Sequence, residues 1–180
     1  MGSYKLDLLA LLCSLIGLTF FFQVYQAQNS PQDFLAAHNA ARADVGVGPM
    51  TWDDILASYA GNYAQERARD CNLVHSTALP ASGENIAWSS GNMSAAEAVE
   101  LWVSEKEYYD YNNNSCIEGQ LCRHYIQVVW SKSLRLGCGR AQCNNGGTFF
   151  ICNYYPHGNY IGERPYMREP SACFHINLYM

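Results

Sequence analysis

Eight cysteines, seven of them downstream of an apolar leader, constrain this chain more than any other feature. Leu8 to Phe22 carry no charge and follow Lys5. That run has the length of a signal-peptide core and is short for a membrane span. Ala27 reads as the last leader residue, so residues 1–27 are expected to be removed, with a retained signal anchor as the alternative. Cys13 leaves with the leader. Cys71, Cys116, Cys122, Cys138, Cys143, Cys152 and Cys173 remain. Behind a secretion signal, such density reads as a disulfide framework in an oxidising compartment. No Cys-x-x-Cys pair is present, so a thiolate zinc site is not expected.

The formal net charge is -5 and stays there once Lys5 and Asp7 are lost with the leader. An acidic chain has no electrostatic reason to bind nucleic acid or anionic membranes broadly. No later run is apolar enough for a transmembrane anchor. Asn92-Met93-Ser94 and Asn113-Asn114-Ser115 have the form of glycosylation acceptors.

Helix signals come next. Ser30-Pro31-Gln32-Asp33 starts a first helix, carrying Phe34, Ala37, His38, Ala41 and Val45 until Gly46. His38 sits on that apolar stripe and reads as a satisfied core histidine. A second helix is expected from about Asp53 to Arg69, with Ile55, Leu56, Tyr59 and Tyr63 inward and Ala60 and Ala64 allowing close packing. Ser94-Ala95-Ala96-Glu97 is a capping box for a third. Ala98, Leu101, Trp102 and Glu105 then recur at three- and four-residue steps. Glu105 therefore falls on an apolar stripe, where a carboxylate is costly unless something pairs with it.

Leu134 to Cys143 and Thr148 to Tyr155 read as strands joined by a hairpin at Asn144-Asn145-Gly146-Gly147. A turn centred on Asn145-Gly146 places Cys138 near-opposite Cys152, so those two can pair. Cys116 and Cys122 can close a short loop, which leaves Cys71 for Cys143. Helices with a terminal antiparallel hairpin point to an α+β fold.

Three motifs in order carry a family resemblance: His38-Asn39-Ala40-Ala41-Arg42, Gly83-Glu84-Asn85-Ile86, and Arg123-His124-Tyr125-Ile126-Gln127-Val128-Val129-Trp130, the last with Cys122 before it and Leu136-Gly137-Cys138-Gly139 after it. Over roughly residues 28–166 the chain resembles the CAP superfamily, and within it the plant pathogenesis-related proteins of group one. The resemblance implies a three-layer α-β-α sandwich with a central antiparallel sheet. It implies the same disulfides, Cys71–Cys143, Cys116–Cys122 and Cys138–Cys152.

It also implies a cleft tetrad of His75, Glu84, Glu105 and His124. Two imidazoles and two carboxylates can hold zinc through His75 and His124, exchange protons without metal, or form a closed network that anchors the cleft walls. No cofactor is required by the third reading. The chain lacks a helical His-Glu-x-x-His pair and a Gly-x-Ser-x-Gly elbow, and the family is not regarded as enzymatic, so the anchoring reading is preferred. The loop Ser76–Ser82 is longer than the group's pattern and can widen or cover the cleft.

Family likeness further implies a sterol-binding aromatic loop, here Trp102, Tyr108, Tyr109 and Tyr111. It implies a defence-signalling peptide that starts at Pro156. The residue before that junction is Tyr155 where the group often has Asp, which counts against an Asp-directed protease. Residues 167–180 form an extension whose Cys173 is either free or an intermolecular bridge in an otherwise monomeric protein. Such extensions sort some members to the vacuole; otherwise the apoplast is expected. The expected function is a secreted, antifungal or anti-oomycete defence protein that sequesters sterols or related lipids of pathogen membranes. The alternatives are a peptide precursor and a metal-dependent hydrolase.

Overall fold

The computed structural model describes residues 29–77, 79 and 81–168; the leader, the tail beyond Arg168 with Cys173, and two residues of the 76–82 loop lie outside the described residues. Helix α1 is Pro31–Ala43. The Ser30 hydroxyl accepts from the Asp33 N–H at 3.3 Å and the Asp33 carboxylate accepts from the Ser30 N–H at 2.7 Å, so the box satisfies two donors that the helix cannot. The helix buries Phe34, His38, Ala41 and Arg42 and stops at Ala43, two residues before Val45.

After strand β1 (Thr51–Trp52), helix α2 runs Asp54–Arg67 from an Asp53 cap. Its inward face corrects the expected one. Leu56, Ala60 and Ala64 are buried, whereas Ile55 is 75% exposed and Tyr59 and Tyr63 are only half-buried. The reason lies across the interface. A Cβ added at Gly137 would sit 2.1 Å from the Ala57 nitrogen, and one at Gly139 would sit 2.4 Å from the Ala60 carbonyl carbon. The helix backbone rests on two glycines of a strand, and only its small face fits there.

Strand β2 is Gly83–Ser89 and helix α3 is Ala95–Ser104, with the predicted Ser94–Glu97 capping box. Its buried stripe is Ala95, Ala98, Val99 and Trp102; Leu101, expected on that stripe, lies beside it and is half exposed. A 3₁₀ turn, Glu105–Tyr108, leads into the short pair β3 (Tyr109–Asp110) and β4 (Ser115–Cys116). Helix α4, Arg123–Val128, was not foreseen. Strands β5 (Arg135–Gln142) and β6 (Thr148–Tyr155) are the predicted hairpin, with Gly146 in the left-handed region at φ 86°.

The sheet order is β1-β5-β6-β2, antiparallel except for the two-residue β1, which runs parallel to β5. Helix α2 covers one face, with a core of Ala60, Ala64, Ile86, Phe149 and Ile151. Helices α1, α3 and α4 cover the other, around Phe34, Trp102, Val128, Phe150 and Tyr154. This is the three-layer sandwich that the resemblance implied. All three disulfides form as expected: Cys71–Cys143, Cys116–Cys122 and Cys138–Cys152. Cys138 and Cys152 are register partners across the hairpin.

Candidate functional site

Helix α4 explains the first histidine–carboxylate pair. Its capping residue, Cys122, offers no side-chain hydrogen bond. Glu105, at the end of α3, supplies the cap from outside: one carboxylate oxygen accepts from the backbone N–H of His124 at 2.9 Å and of Tyr125 at 3.4 Å. The other accepts from His124 Nδ1 at 2.6 Å. A negative charge at a helix start is favourable, and these N–H groups would otherwise be orphans. The carboxylate flagged by helical spacing thus finds its partners on another helix. Its side chain is 15% exposed and that of His124 is 29% exposed.

The second pair sits at the start of β2. Glu84 accepts from His75 Nδ1 at 2.7 Å, from the Ser76 N–H at 3.0 Å and from the Ser76 hydroxyl at 2.5 Å. Glu84 is 7% exposed but His75 is 60% exposed. Both histidines thus donate through Nδ1 and direct Nε2 away from their carboxylate.

Strand alternation puts the neighbours Glu84 and Asn85 on opposite faces of the sheet. Glu84 is in register with Asn153 and Gly137, on the α2 face, whereas Asn85 is in register with Cys152 and Cys138 on the other. Asn85 joins the second face to the first pair. Its Nδ2 donates to the His124 carbonyl and to the Tyr154 hydroxyl, each at 3.1 Å. That hydroxyl lies 2.9 Å from His38 Nε2, and His38 Nδ1 lies 2.8 Å from the Phe34 carbonyl. A carbonyl only accepts, so Nδ1 carries the proton and Nε2 accepts from Tyr154. Burial lowers the His38 pKa from its ordinary 6.5 to about 4 and pushes the Tyr154 hydroxyl well up, so both stay neutral. His38 is thus the satisfied core histidine expected from its stripe.

Arg42 and Asn85 belong to the motifs but were given no role by sequence. Arg42 is fully buried and spends its guanidinium on backbone carbonyls: Gly48 at 2.8 Å, Val128 at 3.1 Å, Trp130 at 2.8 Å and Ser133 at 3.0 Å. Burial lowers its pKa to about 10. It ties α1 to the exit of α4, and the four carbonyls stand in for a counter-ion. The signal available in the sequence was a cation one turn after His38, on the same inward face.

Among the described residues no group of three or more His, Cys, Asp and Glu is placed to hold one ion.

The aromatic residues separate as well. Trp102 is core, 2% exposed, with its indole N–H donating to the Ile86 carbonyl at 3.1 Å. Tyr109 and Tyr111 are half-buried, and Tyr111 stacks on Tyr166 at 5.2 Å. Only Tyr108 of the four is open to solvent. Beside this region, the Cys116–Cys122 loop and the segment after Tyr155 enclose a groove of about 500 Å³, walled by Leu121, Ile126, Trp130, Tyr160 and Ile161. A second, more polar cleft of about 540 Å³ lies beside Glu84, bordered by Thr77, Ser82, Gln127 and His157. Asn92 and Asn113 are both exposed. No helix among the described residues is long and apolar enough to cross a membrane.

These features define a class. A model of the cysteine-rich secretory protein family, CAP, matches residues 35–154, and the chain belongs to that family. The chain is 57% identical over 166 residues to pathogenesis-related leaf protein 6 of Solanum lycopersicum, covering 92% of this chain and 100% of that one. It is 62% identical over 142 residues to pathogenesis-related protein 1A of Nicotiana tabacum, covering 78% and 83%. Within the family it therefore falls with the plant pathogenesis-related proteins of group one. The fold is shared with the venom allergen-like protein 4 of Schistosoma mansoni (TM-score 0.63, 24% identity, 77% of this chain and 94% of that one). It is also shared with Na-ASP-1 (TM-score 0.64, 26% identity, 76% and 41%).

Proposed function

We propose that this protein is a secreted plant defence protein that acts by binding a sterol or a related lipid of a pathogen membrane, without enzymatic turnover. The observation that carries the reading is the groove of about 500 Å³ beside the Cys116–Cys122 loop. Its volume lies within the range of small-molecule sites. Leu121 and Ile161 present unpaired apolar surface at its rim, and the disulfide holds one wall in place before any ligand arrives, which lowers the ordering cost of binding. On this reading Tyr108, Tyr109 and Tyr111 support the neighbouring wall, and Trp102 positions α3 from the core. The leader directs the chain to the apoplast, and Asn113 is open to glycan attachment on an exposed turn.

Titration of labelled ergosterol and of a plant sterol into the secreted protein tests this. Saturable binding is expected, weakened about tenfold by Leu121→Ser, because a buried leucine contributes about 1.5–3 kcal/mol and 1.4 kcal/mol is a factor of ten. Leu121 is 68% exposed in the free protein, so the substitution leaves the fold intact. Absence of saturable binding to either sterol overturns the reading.

A further inference from the structure

The chain after Tyr155 leaves the sheet and forms no further helix or strand through Arg168 among the described residues. It is nevertheless held at both ends. At the first, the Ser133 hydroxyl donates to the Pro156 carbonyl at 2.7 Å, and the Gly158 N–H donates to the Gln127 side-chain oxygen at 2.8 Å. Gly158 lies so close to Trp130 that an added Cβ would come within 2.7 Å of the indole. The Asn159 amide donates to the Arg123 carbonyl at 3.1 Å.

At the second anchor, the Arg164 guanidinium donates to the carbonyls of Tyr111 and Asn112. The Ser131 N–H donates to the Pro165 carbonyl at 2.7 Å. Tyr166 is 3% exposed and stacks on Tyr111, whose hydroxyl donates to the Tyr166 carbonyl at 3.3 Å. Between the anchors, Tyr160 to Glu163 are exposed, although the Glu163 side chain pairs with Lys132 at 2.6 Å. Every one of these partners precedes Pro156 in sequence.

From this arrangement we infer that residues 29–155 form a binding site for the chain's own segment 156–168, and that a chain cut between Tyr155 and Pro156 keeps the segment bound. The ligand class is a cationic peptide, with Glu163 outweighed by Arg164 and Arg168, that carries Pro-His-Gly-Asn at one end and Arg-Pro-Tyr before its last two residues. Two anchors on one peptide act as a bivalent ligand: the second closes at high effective concentration once the first is seated. Cutting the backbone therefore separates two events, cleavage and release. The segment also walls the apolar groove through Tyr160 and Ile161, so the groove outlasts the cut and opens only on dissociation. The inference stands on the contacts of the segment and is independent of what the groove binds.

A recognition site for a sequence-specific protease, inserted between Tyr155 and Pro156 of the full secreted chain, tests it. Complete cutting is verified on a denaturing gel and the product is passed over a gel-filtration column in native buffer. The expected result is co-elution of the C-terminal fragment with the body at one-to-one stoichiometry. In the cut protein Arg164→Ala is expected to speed fragment loss about tenfold or more, since hydrogen bonds to charged groups contribute about 1.5–3 kcal/mol. Met167→Ala, at a largely exposed position, is expected to leave the rate unchanged. A fragment that elutes apart from a body whose thermal transition is still cooperative overturns the inference. The sterol titration reads the other proposal separately.

Discussion

The two histidine–carboxylate pairs have the same composition and opposite construction. His124–Glu105 joins the end of one helix to the start of another, and the carboxylate doubles as the cap that α4 lacks. His75–Glu84 joins a strand to a loop: Glu84 is the more buried carboxylate, yet its partner His75 is 60% exposed and its other bonds go to Ser76, next in sequence to that histidine. The first pair fixes the relation between two packed helices, so losing it disturbs the core. The second restrains a loop that water can solvate in its place. The lesson is that burial of a charge does not by itself measure its structural weight; what the charge connects decides it.

The largest expected effect breaks the comparison from beneath, through the buried line His38–Tyr154–Asn85 that reaches the His124 carbonyl. His38 has its folded pKa lowered to about 4, by burial. Its neutral form is the folded one. Stability is therefore full above the unfolded pKa of about 6.5, falls as pH drops from 6.5 toward 4, and levels off below 4. A separation of about 2.5 pKa units corresponds to about 3 kcal/mol lost between pH 7 and pH 4. Urea unfolding at pH 7, 5 and 4 measures it. The slope should flatten in His38→Gln; an equal slope in that variant would remove His38 as its source.

Next in size is the direct contrast. Glu105→Ala leaves two α4 N–H groups and His124 without their acceptor and is expected to cost about 2–3 kcal/mol. Glu84→Ala strands only groups that a loop can expose, and about 1 kcal/mol is expected. Equal losses in chemical denaturation would show that the two pairs carry the same structural weight after all.

What sequence could reveal follows from how local each cause is. The Ser30–Asp33 helix start and the Ser94–Glu97 box span four residues each, and the hairpin at Asn145-Gly146 carries its own turn chemistry, so these were legible. Glu105 was legible as a carboxylate out of place on an apolar stripe. The inward face of α2 was not, because Gly137 and Gly139 on β5 select it. Nor was α4, a helix of six residues whose cap comes from another helix. The nearness of His75 to Glu84 came from family likeness alone, as members of one cleft; in the residues themselves nothing sets His75 and Ser76 against the start of β2. Arg42 carried the weakest signal, since a buried arginine answered only by carbonyls has no partner to find in a sequence.

The smallest expected effect concerns metal, and it sharpens the comparison further. If the two pairs shared one ion, each would be half of a single site, and removing the ion would weaken both together. Their geometry argues otherwise. Glu84 and Asn85, which touches the His124 carbonyl, project to opposite faces of the sheet, and no three ligating groups converge among the described residues. A chelator should then shift the melting temperature by less than about 1 °C, because an ion that does not bind the folded state cannot stabilise it by mass action. Excess zinc should do no more. A zinc-dependent rise of several degrees, lost in both His75→Ala and His124→Ala, would mean that the two pairs close on a common ion and act as one unit.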